Sequence, residues 1–281
     1  MSIIEIDEDN IEEYADIVDQ DIAENMERTY FRGLACHDPG DDSVKSAMIW
    51  ELQSVEKDTD TESRIDWIYA DGIDNLESLL EAYKEKVTED EVKRSFFEIP
   101  SLDEQIGSAL GGCGFDVESV ESRVVRLTVD ELAANPLAKK KAPDFVQSIS
   151  GLDIKSYHQG VMKLLFQPDA CPLEDMCYIP KNWFDQDVSC YVTTDGKVNG
   201  FLLIHEFPSG ILMPLFLRAS GPDASHHIAY MMIYSMQKAA EKYPGDRVVL
   251  VKRRAANIEA IVNKLFPGKK GLPATAGQRK E

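Results

Sequence analysis

From Phe201 to Val251 the chain reads FLLIHEF, a Pro-Ser-Gly turn, ILMPLFLRA, the polar break SGPDASHH, IAYMMIYSMQKAAEKY and, after Pro244-Gly245, RVVLV. The chemistry this spacing could do is anion binding. A strand that runs through a short loop into the first turn of a helix leaves backbone N–H groups facing one point, which suits a phosphate. His226 and His227 fall in that turn. They read either as one exposed and one packed ring or as a phosphate contact or catalytic base. Cys36 and His37 adjoin, but neighbours on a strand point to opposite faces, so no thiolate–imidazole pair is expected. Asp38-Pro39-Gly40-Asp41-Asp42 lacks the spaced ligands and distal glutamate of a calcium loop and reads as a turn. Cys36, Cys113, Cys171, Cys177 and Cys190 make an odd count without a C-x-x-C pair. They imply free thiols in a reducing compartment, and neither a disulfide framework nor a metal site.

The elements that must position these residues alternate between strand and helix. Residues 11–28 carry Ile11, Tyr14, Val18, Ile22 and Met26 along a helical stripe, with Asp7 to Asn10 as capping residues. YFRGLACH and VKSAMIWELQSVE flank the Pro-Gly turn as a hairpin. RIDWIYADG reads as a strand, IDNLESLLEAYKEKV as an amphipathic helix and VKRSFFEIP as a strand. LDEQIGSALGGCGF reads as a short helix, and FDVESVESRVVRLTVDEL as a closing strand pair. The boundary falls at ANPLAKKKAPDF: a first domain over 1–135, a linker over 136–144 and a second domain over 145–268. After it, VQSISGLDIKSYHQGVMKLLFQ reads as helix broken at Gly151 and Gly160, and PDACPLEDMCYIPKNWF as irregular with a short helix. Residues 187–207 form a hairpin around Asp195-Gly196, the strongest hairpin signal in the chain. NIEAIVNKLFP is a last helix, and residues 269–281 read as a polar, disordered tail. The same order of elements occurs twice, as mixed α/β layers.

A chain of 281 residues with 43% hydrophobic content is long enough for two packed cores. Its formal net charge is -20. Residues 1–135 hold 36 of the acids and 11 of the bases, and the remainder 14 and 19. Nucleic acid and anionic membrane are therefore excluded as partners of the first half, and a phosphate-bearing cofactor fits the second. No apolar run reaches membrane-span length and the N-terminus has no leader pattern, so a soluble cytoplasmic protein is the expectation.

On these motifs the chain resembles the GNAT (GCN5-related N-acetyltransferase) superfamily, as a tandem of two domains. In the first copy, RIDWIYADG, IDNLESLLEAY, SFFEIP and a helix ending Gly111-Gly112-Cys113-Gly114-Phe115 resemble the family's central strand, cofactor helix, next strand and "GF" ending. In the second, DGKVNGFLLI is similar to the family's hairpin, and ILMPLFLRA, IAYMMIYSMQKAAEKY and RVVLV continue it. The resemblance implies an α/β fold of two such domains and binding of acetyl-CoA by its pyrophosphate. The donors are amides in a pattern Gln/Arg-x-x-Gly-x-Gly/Ala, whose glycines let backbone approach phosphate.

The first copy has Asp71-Gly72-Ile73-Asp74-Asn75-Leu76 at these positions. Two carboxylates there would repel a phosphate by on the order of a kcal/mol per charge. The second has Ala224-Ser225-His226-His227-Ile228-Ala229, where Ala229 fits the pattern. Arg218, Ser220, Gly221, Ser225, His227 and Ala229 are thus the implied cofactor contacts.

The implied chemistry is direct acyl transfer to an amine, with a carboxylate as base and a tyrosine as acid. Glu206 and His205 are the favoured bases, with Asp66 and Glu98 as first-copy counterparts. Leu110 and Ile261 to Lys264 stand where the tyrosine belongs. The acceptor is a small-molecule or peptide amine, and a cation would be steered by the acidic first domain. The competing expectation is a non-catalytic protein of the same fold used for ligand sensing or protein association, which the eroded phosphate loops and missing tyrosines favour.

Overall fold

The computed structural model describes residues 2–28, 30–40, 43–54, 60–165, 179–253 and 256–281. The chain divides into one unit of Met1–Ser122 with Leu272–Glu281, and a second of Arg123–Gly271. The expected linker, 136–144, therefore lies inside the second unit. There Gln237 Nε2 donates to the carbonyls of Ala138 and Lys140 at 2.8 and 2.7 Å.

The first unit contains β1 (Ser2–Ile6), α1 (Gln20–Ala23), β2 (Phe31–His37), β3 (Val44–Ser54), β4 (Thr61–Ala70), α2 (Ile73–Glu89), β5 (Val92–Pro100), α3 (Glu104–Gly112) and the start of β6 (Asp116–Thr128). Its strand order is β1-β2-β3-β4-β5-β12-β6, where β12 is Gly271–Lys280. Leu76, Leu80, Tyr83, Phe97, Leu110 and Phe115 pack between this sheet, α2 and α3.

Three expectations are corrected in this unit. The stripe over 11–28 is not one helix. Asp19 leaves helical space (φ −57°, ψ 134°), its carboxylate accepts from the amide of Asp21, and a new helix starts there. Ile11, Tyr14, Val18 and Met26 are buried all the same. The closing strand pair is the single strand β6, ended by the capping box of Thr128 and Glu131 that opens α4 (Val129–Ala134).

The polar tail is not disordered: β12 pairs antiparallel with β5 from Ala274↔Pro100 to Lys280↔Arg94. The absent side chain of Gly277 makes this possible, since a Cβ would lie 2.5 Å from the Phe97 ring. Arg279 then closes the end, with its guanidinium on the Glu281 carboxylate at 2.7 Å, on the Cys113 carbonyl at 3.1 Å and over the Phe115 ring.

The second unit contains the end of β6, α4, β7 (Val146–Ser148), α5 (Ile154–Leu165), β8 (Cys190–Thr194), β9 (Lys197–Glu206), β10 (Leu212–Ala219), α6 (Ala224–Lys242), β11 (Val248–Lys252) and α7 (Ala256–Leu265). Its strand order is β6-β11-β10-β9-β8-β7. Asp195 and Gly196 take φ of 52° and 74°, the two positive values that a tight two-residue hairpin turn requires.

The helix expected over 146–167 differs. Residues 146–148 are β7, and α5 runs unbroken through Gly160, where a Cβ would lie 2.7 Å from Phe201 Cε2. Gly160 is there for close approach to the sheet, not to break the helix. The expected short helix of 168–184 falls largely outside the described residues, as do Cys171 and Cys177. Cys36, Cys113 and Cys190 form no disulfide among the described residues.

The alternation of β9 sets the two faces of the second unit. Leu202 and Ile204 pack with α6 and α7, whereas Phe201 and Leu203 pack with α5. The order β2-β3-β4-α2-β5-α3 of the first unit recurs as β8-β9-β10-α6-β11-α7. The correspondence reaches a detail: β4 carries an extra residue against β3 at Asp66, and β10 one against β9 at Leu215.

A candidate cofactor cleft between two parallel strands

β10 and β11 run parallel and share one registered pair, Leu212↔Val249. On its other side β10 stays paired with β9 as far as Ala219↔Gly200. Beyond Leu212 both parallel strands line a cavity of about 180 Å³ that α6 and α7 cover. Its cations, Arg218 and Lys252, stand near the carboxyl ends of β10 and β11; around the registered pair the lining is Leu127, Ile204, Met236, Ala239 and Leu265. Among the described residues, no Asp, Glu, His, Cys or Tyr lines it.

The loop from β10 leads into the first turn of α6 beside this opening. Gly221, at φ +90°, turns the chain, and its carbonyl accepts from the amide of Ala224 at 3.2 Å. Asp223 occupies the N-cap position, yet its carboxylate caps nothing. Helix geometry leaves the first-turn amides of Ser225 and His226 without helical acceptors. Ser225 is exposed, and the His226 side chain is 75% exposed. His227 is buried at 8%, with its ring against Phe145 and no partner for Nδ1 among the described residues. One exposed and one packed ring was one of the two readings of this pair. Ser220 is turned away from the helix, since its amide donates to the Asn199 carbonyl at 2.7 Å and its hydroxyl to the same oxygen. Ala229 is half-buried, one turn further along α6.

The structure does not bring the two expected bases together at the cavity. His205 lies on the α5 face of β9. There Nδ1–H donates to the Trp183 carbonyl at 2.7 Å and the imidazole stacks on the Trp183 ring at 3.5 Å. Glu206 ends β9, opposite Leu212. Its Oε2 accepts from the Tyr243 hydroxyl at 2.7 Å, and Arg247 stands 3.6 Å from Oε1.

The same hydroxyl also reaches Asp185, so its one proton is shared between the two carboxylates; the Asp185 side chain is 1% exposed and takes a 2.9 Å bond from Lys242. Burial and the flanking carboxylates Asp185 and Glu206 push the Tyr243 hydroxyl well above the ordinary tyrosine range, so it stays protonated. Burial pulls Asp185 upward, but the bonds from Tyr243, Lys242 and two backbone amides outweigh it and hold the carboxyl below its usual range. This cluster braces the end of α6. Sequence reading missed it because Asp185 and Glu206 lie 58 and 37 positions from Tyr243.

In the first unit the corresponding parallel pair, β4 and β5, holds five registered pairs, from Thr61↔Val92 to Ile65↔Phe97. The space between sheet and helices is packed by Leu76, Leu79 and Phe97, each 0 to 1% exposed. Asp66 is engaged by Arg64 at 2.8 Å, and Glu98 sits opposite Ala276 of β12. α2 follows Gly72 as its N-cap and carries Asp74 in its first turn.

No family model matches the chain, and neither does any curated protein. Solved structures do. A tandem GNAT protein from the clavulanic acid biosynthesis pathway superposes over 99% of this chain and 98% of its own, with a TM-score of 0.65 at 9% identity. The chain has the tandem GNAT fold. A probable N-acyltransferase from Enterococcus faecalis V583 covers 99% of this chain and 72% of its own, with a TM-score of 0.53 at 9% identity. A GCN5-related N-acetyltransferase from Kribbella flavida gives a TM-score of 0.52 at 12% identity, over 99% of this chain and 70% of its own. In this GNAT fold no described helix is long and apolar enough to cross a membrane. No group of three or more His, Cys, Asp or Glu side chains among the described residues could hold a metal ion.

Proposed function

We propose that this protein is an N-acyltransferase that binds a CoA thioester in its second unit. The observation that carries the reading is the lone registered pair between β10 and β11, set over a cavity and beside an α6 first turn that no side chain caps. The residues fit the group. The amides of Ser225 and His226 and the positive end of the α6 dipole favour phosphate. Ala229 leaves room one turn on, and Arg218 and Lys252 add positive charge at the open strand ends. Ser220 and Gly221 shape the loop.

When bound, a CoA thioester supplies an activated acyl carbon: an amine nitrogen bonds to it, the carbon–sulfur bond breaks, the amine gives up a proton and the thiol departs. With no carboxylate, imidazole or phenol among the described residues that line the cavity, the amine proton leaves through solvent or through Glu206 by way of water. A cationic amine is the preferred acceptor on charge grounds.

Calorimetric titration of the full chain with acetyl-CoA tests the reading, and Ser225→Glu sharpens it. A carboxylate in a first turn suits the helix but repels phosphate, so the variant should fold as well as the parent and bind at least tenfold more weakly. Binding that is indifferent to Ser225→Glu would place the cofactor elsewhere.

The absence of an acid or base from the cavity lining also supports a second reading, a ligand-sensing module that binds the thioester without turning it over. Thiol release in the presence of a mixture of primary amines separates the two.

A further inference from the structure

We infer that the second unit selects a linear acyl group longer than acetyl, and that it seats this chain at the apolar end of the cavity, around the registered pair. The inference rests on the thioester reading above and goes beyond it, because it concerns what hangs from the sulfur.

Two observations carry it. First, the cavity is polarised along its length. Arg218 and Lys252 stand near the carboxyl ends of β10 and β11, whereas Leu127, Ile204, Met236, Ala239 and Leu265 line the region around the registered pair. A ligand with an anionic head and an apolar end matches that order in one direction only. Second, the cavity extends far from the head-group position. At 1.5 Å rise per residue, Ala239 lies roughly 22 Å along the helix axis from Ala224. A phosphate held at the first turn therefore leaves the space around Ala239 to the far end of the molecule.

The side chains agree with a flexible, linear guest. Met232 and Met236 line the wall from α6, and unbranched thioethers adapt to chains of different length. Among the described lining residues Ser235 is the only uncharged polar side chain, and its hydroxyl already donates to the Val188 carbonyl at 2.5 Å. A hydroxylated or charged acyl group finds no partner there and pays for its desolvation.

The test is a chain-length series by calorimetry on the full-length protein: CoA, acetyl-CoA, butyryl-CoA, hexanoyl-CoA and malonyl-CoA. Each methylene buried in the cavity should tighten binding about fourfold as far as hexanoyl. Malonyl-CoA should bind no better than CoA. Ala239→Phe fills the apolar end from α6 and Leu265→Trp fills it from α7. Either variant, confirmed as folded by its melting transition, should flatten the series to the acetyl value. A parent series that is flat while CoA itself binds would overturn the acyl assignment and leave the thioester reading standing. A slope that persists in both folded variants would equally overturn the cavity assignment. Absence of binding by every member, CoA included, would remove both readings at once.

Discussion

At the residue scale the second unit turns on Tyr243, whose hydroxyl serves Asp185 and Glu206 together. Tyr243→Phe leaves two carboxylates facing one another without the shared donor, and should cost about 2 kcal/mol in urea unfolding at neutral pH. The pH dependence follows from the sign of the Asp185 shift. Its folded-state pKa lies below the unfolded value, so its contribution is present above the ordinary carboxylate pKa and is lost as pH falls through the folded value. Removing the Tyr243 bond moves the folded pKa up. The stability gap between parent and variant should therefore narrow as the pH drops into the acid range, and a constant gap would show that Asp185 does not need that bond. Such a cluster was hidden in the sequence, because hydrogen bonds between residues dozens of positions apart leave no periodic trace. Asp195 and Gly196 were legible for the opposite reason: a two-residue hairpin needs positive φ at both positions, and few residue types tolerate it.

The elements were legible wherever pattern and packing agree. α2, α6, the β2–β3 hairpin and the β8–β9 hairpin stand where alternation and the 3.6-residue period put them. β12 was misread because its residues, GLPATAGQRK, are small and polar, and look unable to bury a core of their own. Here the partner decides: β5 offers a paired edge, and the missing Gly277 side chain admits the Phe97 ring. Gly277→Leu should overpack that contact at a cost of about 1–3 kcal/mol. In hydrogen exchange the loss should concentrate at amides 94–100 of β5 and spare α6. Equal loss across both units would show that β12 is not specific to the first. Gly160 was misread as a helix break for the same reason, since a glycine chosen for close approach to Phe201 and Val198 looks like a punctuating glycine in one dimension. Gly160→Ala should lower stability by about 1–3 kcal/mol while the helical content stays unchanged.

At the scale of the whole molecule, one repeated order of elements has taken two forms. The first unit keeps the bulge at Asp66 but fills the space under its parallel pair with Leu76, Leu79 and Phe97, and carries Asp74 at the helix start. The second keeps the bulge at Leu215, a single registered pair and an open cavity. The charge asymmetry between the two halves was visible in composition and favoured the second for an anionic cofactor. The cavity was not visible, because its lining residues come from β-strands and helices scattered from Leu127 to Phe266 and read individually as ordinary core. The most direct test of the central claim is hydrogen exchange of the full chain with and without saturating acetyl-CoA. Protection should rise at residues 219–229, around the start of α6, and along β10 and β11, with residues 71–80 of the first unit unchanged. Protection confined to residues 71–80 would contradict the assignment.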